Sequence, residues 1–124
     1  MNEDVYILYV EQGSLGYSML RTLENERIRP ISAESGVDAL KRLDYEPVDI
    51  VVIPDSLPQL ELQWFINRAR ALQPEISIVV VGAPDDLPED IVQVQADVSG
   101  RELLRRLEDL IADRSIEDAL ERQD

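Results

Sequence analysis

No cysteine and no histidine occur anywhere in this chain of 124 residues. Without thiols there is no disulfide, thiolate nucleophile or zinc–thiolate site, and without imidazole the usual acid–base group and metal ligand of neutral pH is missing. Lysine is nearly absent as well: Lys41 is the single lysine among 12 basic residues, the others being arginine. Glycine is scarce where a phosphate loop would need it, since Glu11-Gln12-Gly13-Ser14 after the first apolar run offers only Gly13. Long apolar runs are lacking too, and stretches such as Ile50 to Ile53 and Ile78 to Val81 are far too short to span a bilayer. The opening Met1-Asn2-Glu3-Asp4 carries no basic leader. These absences point to a soluble, cytoplasmic domain outside most metal, thiol and imidazole enzymology.

What the chain does have is acid. Its 26 Asp and Glu against 12 Lys and Arg give a net charge of -14. Such a charge repels nucleic acid and anionic membrane surfaces, so neither is expected as a partner. Acid excess with scarce lysine also suits a halophilic source, because molar salt screens the self-repulsion that would otherwise loosen the fold. The length suits one domain, able to bury roughly two thirds of the surface its unfolded chain exposes.

Strand and helix signals alternate. Val5 to Val10 is β-branched and aromatic, and Tyr6 and Tyr9 within it are expected to pack at the core or the strand end. Ser14 can cap a helix carrying Met19, Leu20 and Leu23. Arg29 to Ala33 reads as a strand whose Pro30 suits an edge position, and Ser35-Gly36 opens a helix with Ala39, Leu40 and Leu43 on one face. Val48 to Ile53 is a third strand. Leu62, Phe65, Ile66, Ala69 and Leu72 then recur at helical spacing, leaving Trp64 off that face. Two readings stay open for Trp64: tucked against the Pro54 to Pro58 loop, or exposed as an interface anchor. Ile76 to Val81 is apolar on both faces, as in a covered central strand. Ile91 to Val94 is a weaker strand, and Ser99-Gly100-Arg101-Glu102 is a capping box before Leu103, Leu104, Leu107, Leu110 and Ile111. The β-α repeat predicts a doubly wound α/β domain with a parallel sheet, over residues 1–113. The charged, helix-favouring segment 114–124 is a C-terminal extension, either a solvated end or the start of a helical connector.

The most informative stretch is Asp49-Ile50-Val51-Val52-Ile53-Pro54-Asp55-Ser56-Leu57-Pro58. It resembles the third strand and phosphoacceptor loop of response-regulator receiver domains, in which an acidic residue and four apolar residues precede the phosphorylated aspartate, with a proline shortly after. Ile31 to Leu40 is similar to the family's second strand and helix start, and Arg68 to Val79 to its third helix and fourth strand. The resemblance implies a flavodoxin-like five-stranded sheet in the order 2-1-3-4-5. It also implies where the chemistry should sit. The magnesium-binding acidic pair corresponds to Glu11 and Gln12, and the acceptor aspartate to Pro54. The hydroxyl residue ending the fourth strand corresponds to Gly82, the lysine before the last helix to Ala96, and the switch aromatic to Gln93. Only Glu11 retains its chemistry. Gly82 to Ala96 is also too short for the family's fourth helix, and Ala83-Pro84-Asp85-Asp86-Leu87-Pro88 has no helical period, so that helix is expected to be reduced or missing. Its loss would leave apolar sheet surface open as a docking face.

The resemblance therefore implies a receiver-like protein-interaction domain in two-component phosphorelay signalling, a pseudo-receiver and not an enzyme. With Pro54 at the acceptor position it is not phosphorylated and needs no cofactor. The partner would be a signalling protein or an adjacent module of the same full-length chain, with a homodimer left open. The alternative is a phosphorylatable receiver using Asp55, brought in by a one-residue bulge beside Glu11, with magnesium held by Glu11 and Asp55. Otherwise Asp55 is a solvated loop acid. Asp85, Asp86, Glu89 and Asp90 lack the spacing of a calcium loop and read as solvated.

Overall fold

The computed structural model describes residues 5–10, 28–55, 61–82, 87–95 and 100–121. Five strands lie in one sheet: β1 (Val5–Val10), β2 (Ile28–Ala33), β3 (Ile50–Pro54), β4 (Ser77–Val81) and β5 (Val92–Val94). All pairs are parallel, in the order β2-β1-β3-β4-β5 that the resemblance implies. β3 sits at the centre because Ile50, Val51, Val52 and Ile53 are apolar on both faces, and all four are fully buried. Pro30 lies on the edge strand β2, where a missing N–H costs least.

Three helices are present among the described residues: α1 (Gly36–Tyr45), α2 (Leu62–Leu72) and α3 (Gly100–Glu121). Ser35 caps α1, its Oγ accepting from Asp38 N at 3.1 Å while Asp38 Oδ2 accepts from Glu34 N at 3.1 Å. α2 buries Phe65, Ile66 and Ala69, the face its periodicity predicts. α1 and α2 cover one face of the sheet, over Leu8, Val51, Ile53, Ile78 and Val80. α3 covers the other, with Leu103 and Leu107 over Ile7, Ile50, Val52 and Val79. The helix expected after Ser14 and the cap expected at Ser99 lie outside the described residues.

β1 starts at Val5 as expected and β2 at Ile28, one residue before the expected Arg29, whereas β3, β4 and β5 start one or two residues later than expected, for reasons of hydrogen bonding. Val48 N donates to the Gln73 side chain rather than to a ladder, and Ile76 and Ile91 donate to turns at Gln73 O and Pro88 O. Between β4 and β5, residues 82 and 87–91 form no helix, so the helix count is reduced among the described residues. The sheet face expected to be open there is partly covered instead. Leu87 packs against the core and Ile91 is 8% exposed, because a short connection must lie close to the sheet it crosses. Arg70 of α2 holds this connection through an ion pair with Asp90. α3 runs without interruption through position 113 to Glu121.

Candidate functional site

In a doubly wound sheet the ligand crevice lies beyond the carboxyl ends of the strands. Among the described residues that end is formed by Pro54, Asp55, Gly82 and Gln93. Pro54 ends β3 in register with Val81, and Asp55 N continues the ladder to Val81 O at 2.9 Å. Successive strand residues face alternate neighbours, so position 54 faces β1. Among the described residues the last β1–β3 pair is Tyr9–Val52. A proline fits at the end of a strand, where it interrupts the ladder least. The β3–β4 register runs unbroken from Ile50–Ser77 to Pro54–Val81, with no extra residue.

Gly82 explains the rest of the geometry. Its φ of 135° lies where L side chains are strained, and the Asp55 carboxylate rests directly over its Cα. A Cβ built at position 82 would lie 2.7 Å from Asp55 Cβ and closer still to the carboxylate. Asp55 therefore occupies the space in which the hydroxyl residue of the resemblance would project. The backbone is fixed on both sides, with Gly82 N donating to Val94 O at 2.8 Å and Gln93 Nε2 donating to Gly82 O at 2.9 Å. Gln93, at the position of the switch aromatic, is thus a tie between the ends of β4 and β5. Arg106 of α3 reaches Gln93 O at 3.4 Å.

Glu11, Gln12 and Ala96 lie outside the described residues. Of the donors described, the crevice offers one carboxylate, Asp55, where magnesium sites use one or two with waters completing the shell. No group of three or more acidic, histidine or cysteine side chains converges among the described residues. Asp90 is engaged instead: its hydrogen bond from Arg70, helped by the guanidinium charge, holds its carboxyl below the ordinary value of 3.8.

Two concavities lie away from this end. One of about 460 Å³ sits at the amino ends of β3 and β4, lined by Pro47, Asp49, Gln73, Pro74 and Glu75. Its polar groups serve the fold, since Gln73 Oε1 accepts from Val48 N at 2.9 Å while Nε2 donates to Leu43 O at 2.9 Å and Glu46 O at 2.7 Å. The other, about 240 Å³, lies between α1 and α2 and contains Trp64, which is 52% exposed. No described helix is long and apolar enough to cross a membrane.

No protein-family model matches the chain, and no curated protein matches it. Solved structures do match it in fold. A response regulator receiver domain protein from Methanospirillum hungatei JF-1 superposes with a TM-score of 0.80 at 18% identity, over 93% of this chain and 99% of that one. A signal receiver domain from Vibrio parahaemolyticus gives 0.81 at 15%, over 95% and 98%. The signal receiver domain of an HD domain-containing protein from Pseudomonas fluorescens Pf-5 gives 0.76 at 20%, over 91% and 98%. The chain thus has the fold of response-regulator receiver domains, across nearly the whole length of each.

Proposed function

We propose that this chain is a receiver-like interaction module of two-component signalling that works without being phosphorylated. The observation that carries the reading is Pro54 at the carboxyl end of the central strand. An acyl phosphate needs a carboxylate at that point, and proline has none. Gly82 supports it, because its φ of 135° and the overlying Asp55 leave no place for a hydroxyl side chain. In this reading the module works without a resident metal, since a phosphoryl group that Pro54 cannot accept gives magnesium no charge to neutralise. Its output is a surface presented in a fixed conformation to a signalling protein or to a neighbouring module of the same full-length chain. The Pseudomonas fluorescens receiver belongs to an HD domain-containing protein, which supports the second arrangement.

A second reading rests on one observation: the Asp55 carboxylate lies over Gly82 at the crevice, one residue beyond the strand. In that reading Asp55 accepts the phosphoryl group with magnesium. Beryllofluoride, which adds to a receptive carboxylate as a phosphoryl stand-in, separates the two. Amide spectra recorded with magnesium and beryllofluoride should show no saturable shifts at Asp55, Gly82 and Gln93. Saturable shifts there would favour Asp55 as acceptor.

A further inference from the structure

The described residues expose three large apolar side chains, Val37 at 42%, Tyr45 at 84% and Trp64 at 52%. Val37 and Trp64 line one groove between α1 and α2, with Leu40 and Leu72 as its floor and Lys41, Asp44 and Arg68 along its rim. Both helices follow strands of one parallel sheet and cover the same face of it, so they run in the same direction. Val37 and Trp64 stand in the first turn of their helices, Lys41 and Arg68 in the second, and Asp44 and Leu72 in the third. The groove thus follows both helices for about two turns, or roughly 10 Å, with its two cations midway. At about 240 Å³ it is smaller than the roughly 300–1,000 Å³ of a small-molecule pocket and suits a row of side chains.

Charge, anchor and backbone together fix the chemistry of what would cover this face. Among the described residues neither Lys41 nor Arg68 forms an ion pair, whereas Arg42, Arg70 and Arg105 do. Asp44 lies one turn beyond Lys41 on the rim, so the groove is net positive in a chain of charge -14. Its complement is an acidic surface. A second copy set groove to groove would instead bring the midway cations against their own counterparts, which charge disfavours. The exposed Trp64 beside an apolar floor is an anchor of the kind that dominates interfaces. Between their ends, α1 and α2 use their backbone N–H and C=O groups within themselves, so the groove offers a partner's backbone no hydrogen bonds. An occupant that satisfies its own backbone is a helix.

We propose that the groove between α1 and α2 is the docking surface of this chain and takes an acidic amphipathic helix of its partner, an inference that rests on the reading of the chain as an interaction module. Apolar side chains at three- and four-residue spacing would lie over Leu40 and Leu72 against Val37 and Trp64, with carboxylates beside them facing Lys41 and Arg68. Trp64 is the only tryptophan in the chain, so its fluorescence reports on this groove alone. The test titrates the full chain, in moderate salt, with a helical peptide of roughly 15 residues that carries leucine on one face and glutamate on both flanks. One control peptide has lysine for glutamate, and another has the leucines dispersed around the helix. The glutamate peptide should move Trp64 emission saturably to shorter wavelength and shift the amide signals of Val37, Lys41 and Arg68, and each control should bind roughly tenfold or more weakly. Lys41→Glu with Arg68→Glu, shown to be folded by circular dichroism, should reverse the preference between the two charged peptides. Trp64→Ala should weaken the glutamate peptide roughly tenfold or more, read from amide shifts. No saturable change up to millimolar peptide overturns the proposal, as does equal binding of the glutamate and lysine peptides, or amide shifts that map outside the groove. Trp64 emission that moves with protein concentration alone also overturns it, since the groove then takes a second copy. The crevice is read separately. A chain that binds no peptide and gains no phosphate from acetyl phosphate keeps the unphosphorylated module and loses this docking surface, whereas a chain phosphorylated at Asp55 loses the former whatever the groove takes.

Discussion

Gly82 and Gln73 hold positions that no side chain of similar size could take over, whereas Asp90 holds an exposed one. Gly82 combines a φ of 135° with a carboxylate over its Cα. Gly82→Ala should therefore lower stability by about 1–3 kcal/mol in chemical denaturation, and adding Asp55→Ala should recover only the steric share, leaving the backbone strain. Gln73 accepts one backbone N–H and donates to two carbonyls. Gln73→Leu should cost about 1–3 kcal/mol by stranding those groups. Gln73→Glu should be worse at neutral pH, since it sets an anion against two carbonyl oxygens, and should regain stability on acidification as the carboxyl gains a proton to donate. Asp90 has the opposite dependence. Its carboxyl is held below 3.8 by Arg70, so its contribution is present above 3.8 and fades as pH falls through that value towards the folded one. The pair is exposed, with Asp90 at 71%, so Asp90→Asn should remove at most about 1 kcal/mol and flatten the acid limb of the stability curve slightly.

At the scale of elements, the parts legible in sequence were those whose partners are close along the chain or whose burial is total. The run Ile50 to Ile53 reads as a central strand because it can face apolar cover on both sides. The spacing from Leu62 to Leu72 reads as a helix with one buried face, and Ser35 reads as a cap because its acceptor and donor are three residues apart. The order of the strands came from resemblance, since periodicity does not say which strand lies beside which. The Gln73 clamp joins residues 25 to 30 positions away and leaves no local signal. The placement of Asp55 over Gly82 depends on Asp55 N bonding Val81 O and on Gly82 N bonding Val94 O, partners distant in sequence. The covering of the sheet by Leu87 and Ile91 was likewise hidden, because a two-proline connection reads only as loop. The groove between α1 and α2 becomes visible only when two stripes distant in sequence are set side by side.

For the whole molecule, charge and chemistry at the crevice dominate. A net charge of -14 on 124 residues repels itself unless ions screen it. The melting temperature should climb steeply between about 0.1 M and about 2 M potassium chloride, where the Debye length falls from about 10 Å to below 3 Å. A flat dependence would remove the case for salt adaptation. The central claim concerns the crevice: a receiver fold whose acceptor position is Pro54 signals through a fixed surface and not through a phosphoryl group. Incubation of the full chain with acetyl phosphate and magnesium, followed by intact mass measurement, tests it most directly. An unchanged mass is expected for the wild-type chain and for Asp55→Asn alike. A wild-type chain that gains one phosphate, with the gain lost in Asp55→Asn, would contradict the claim and make Asp55 the acceptor.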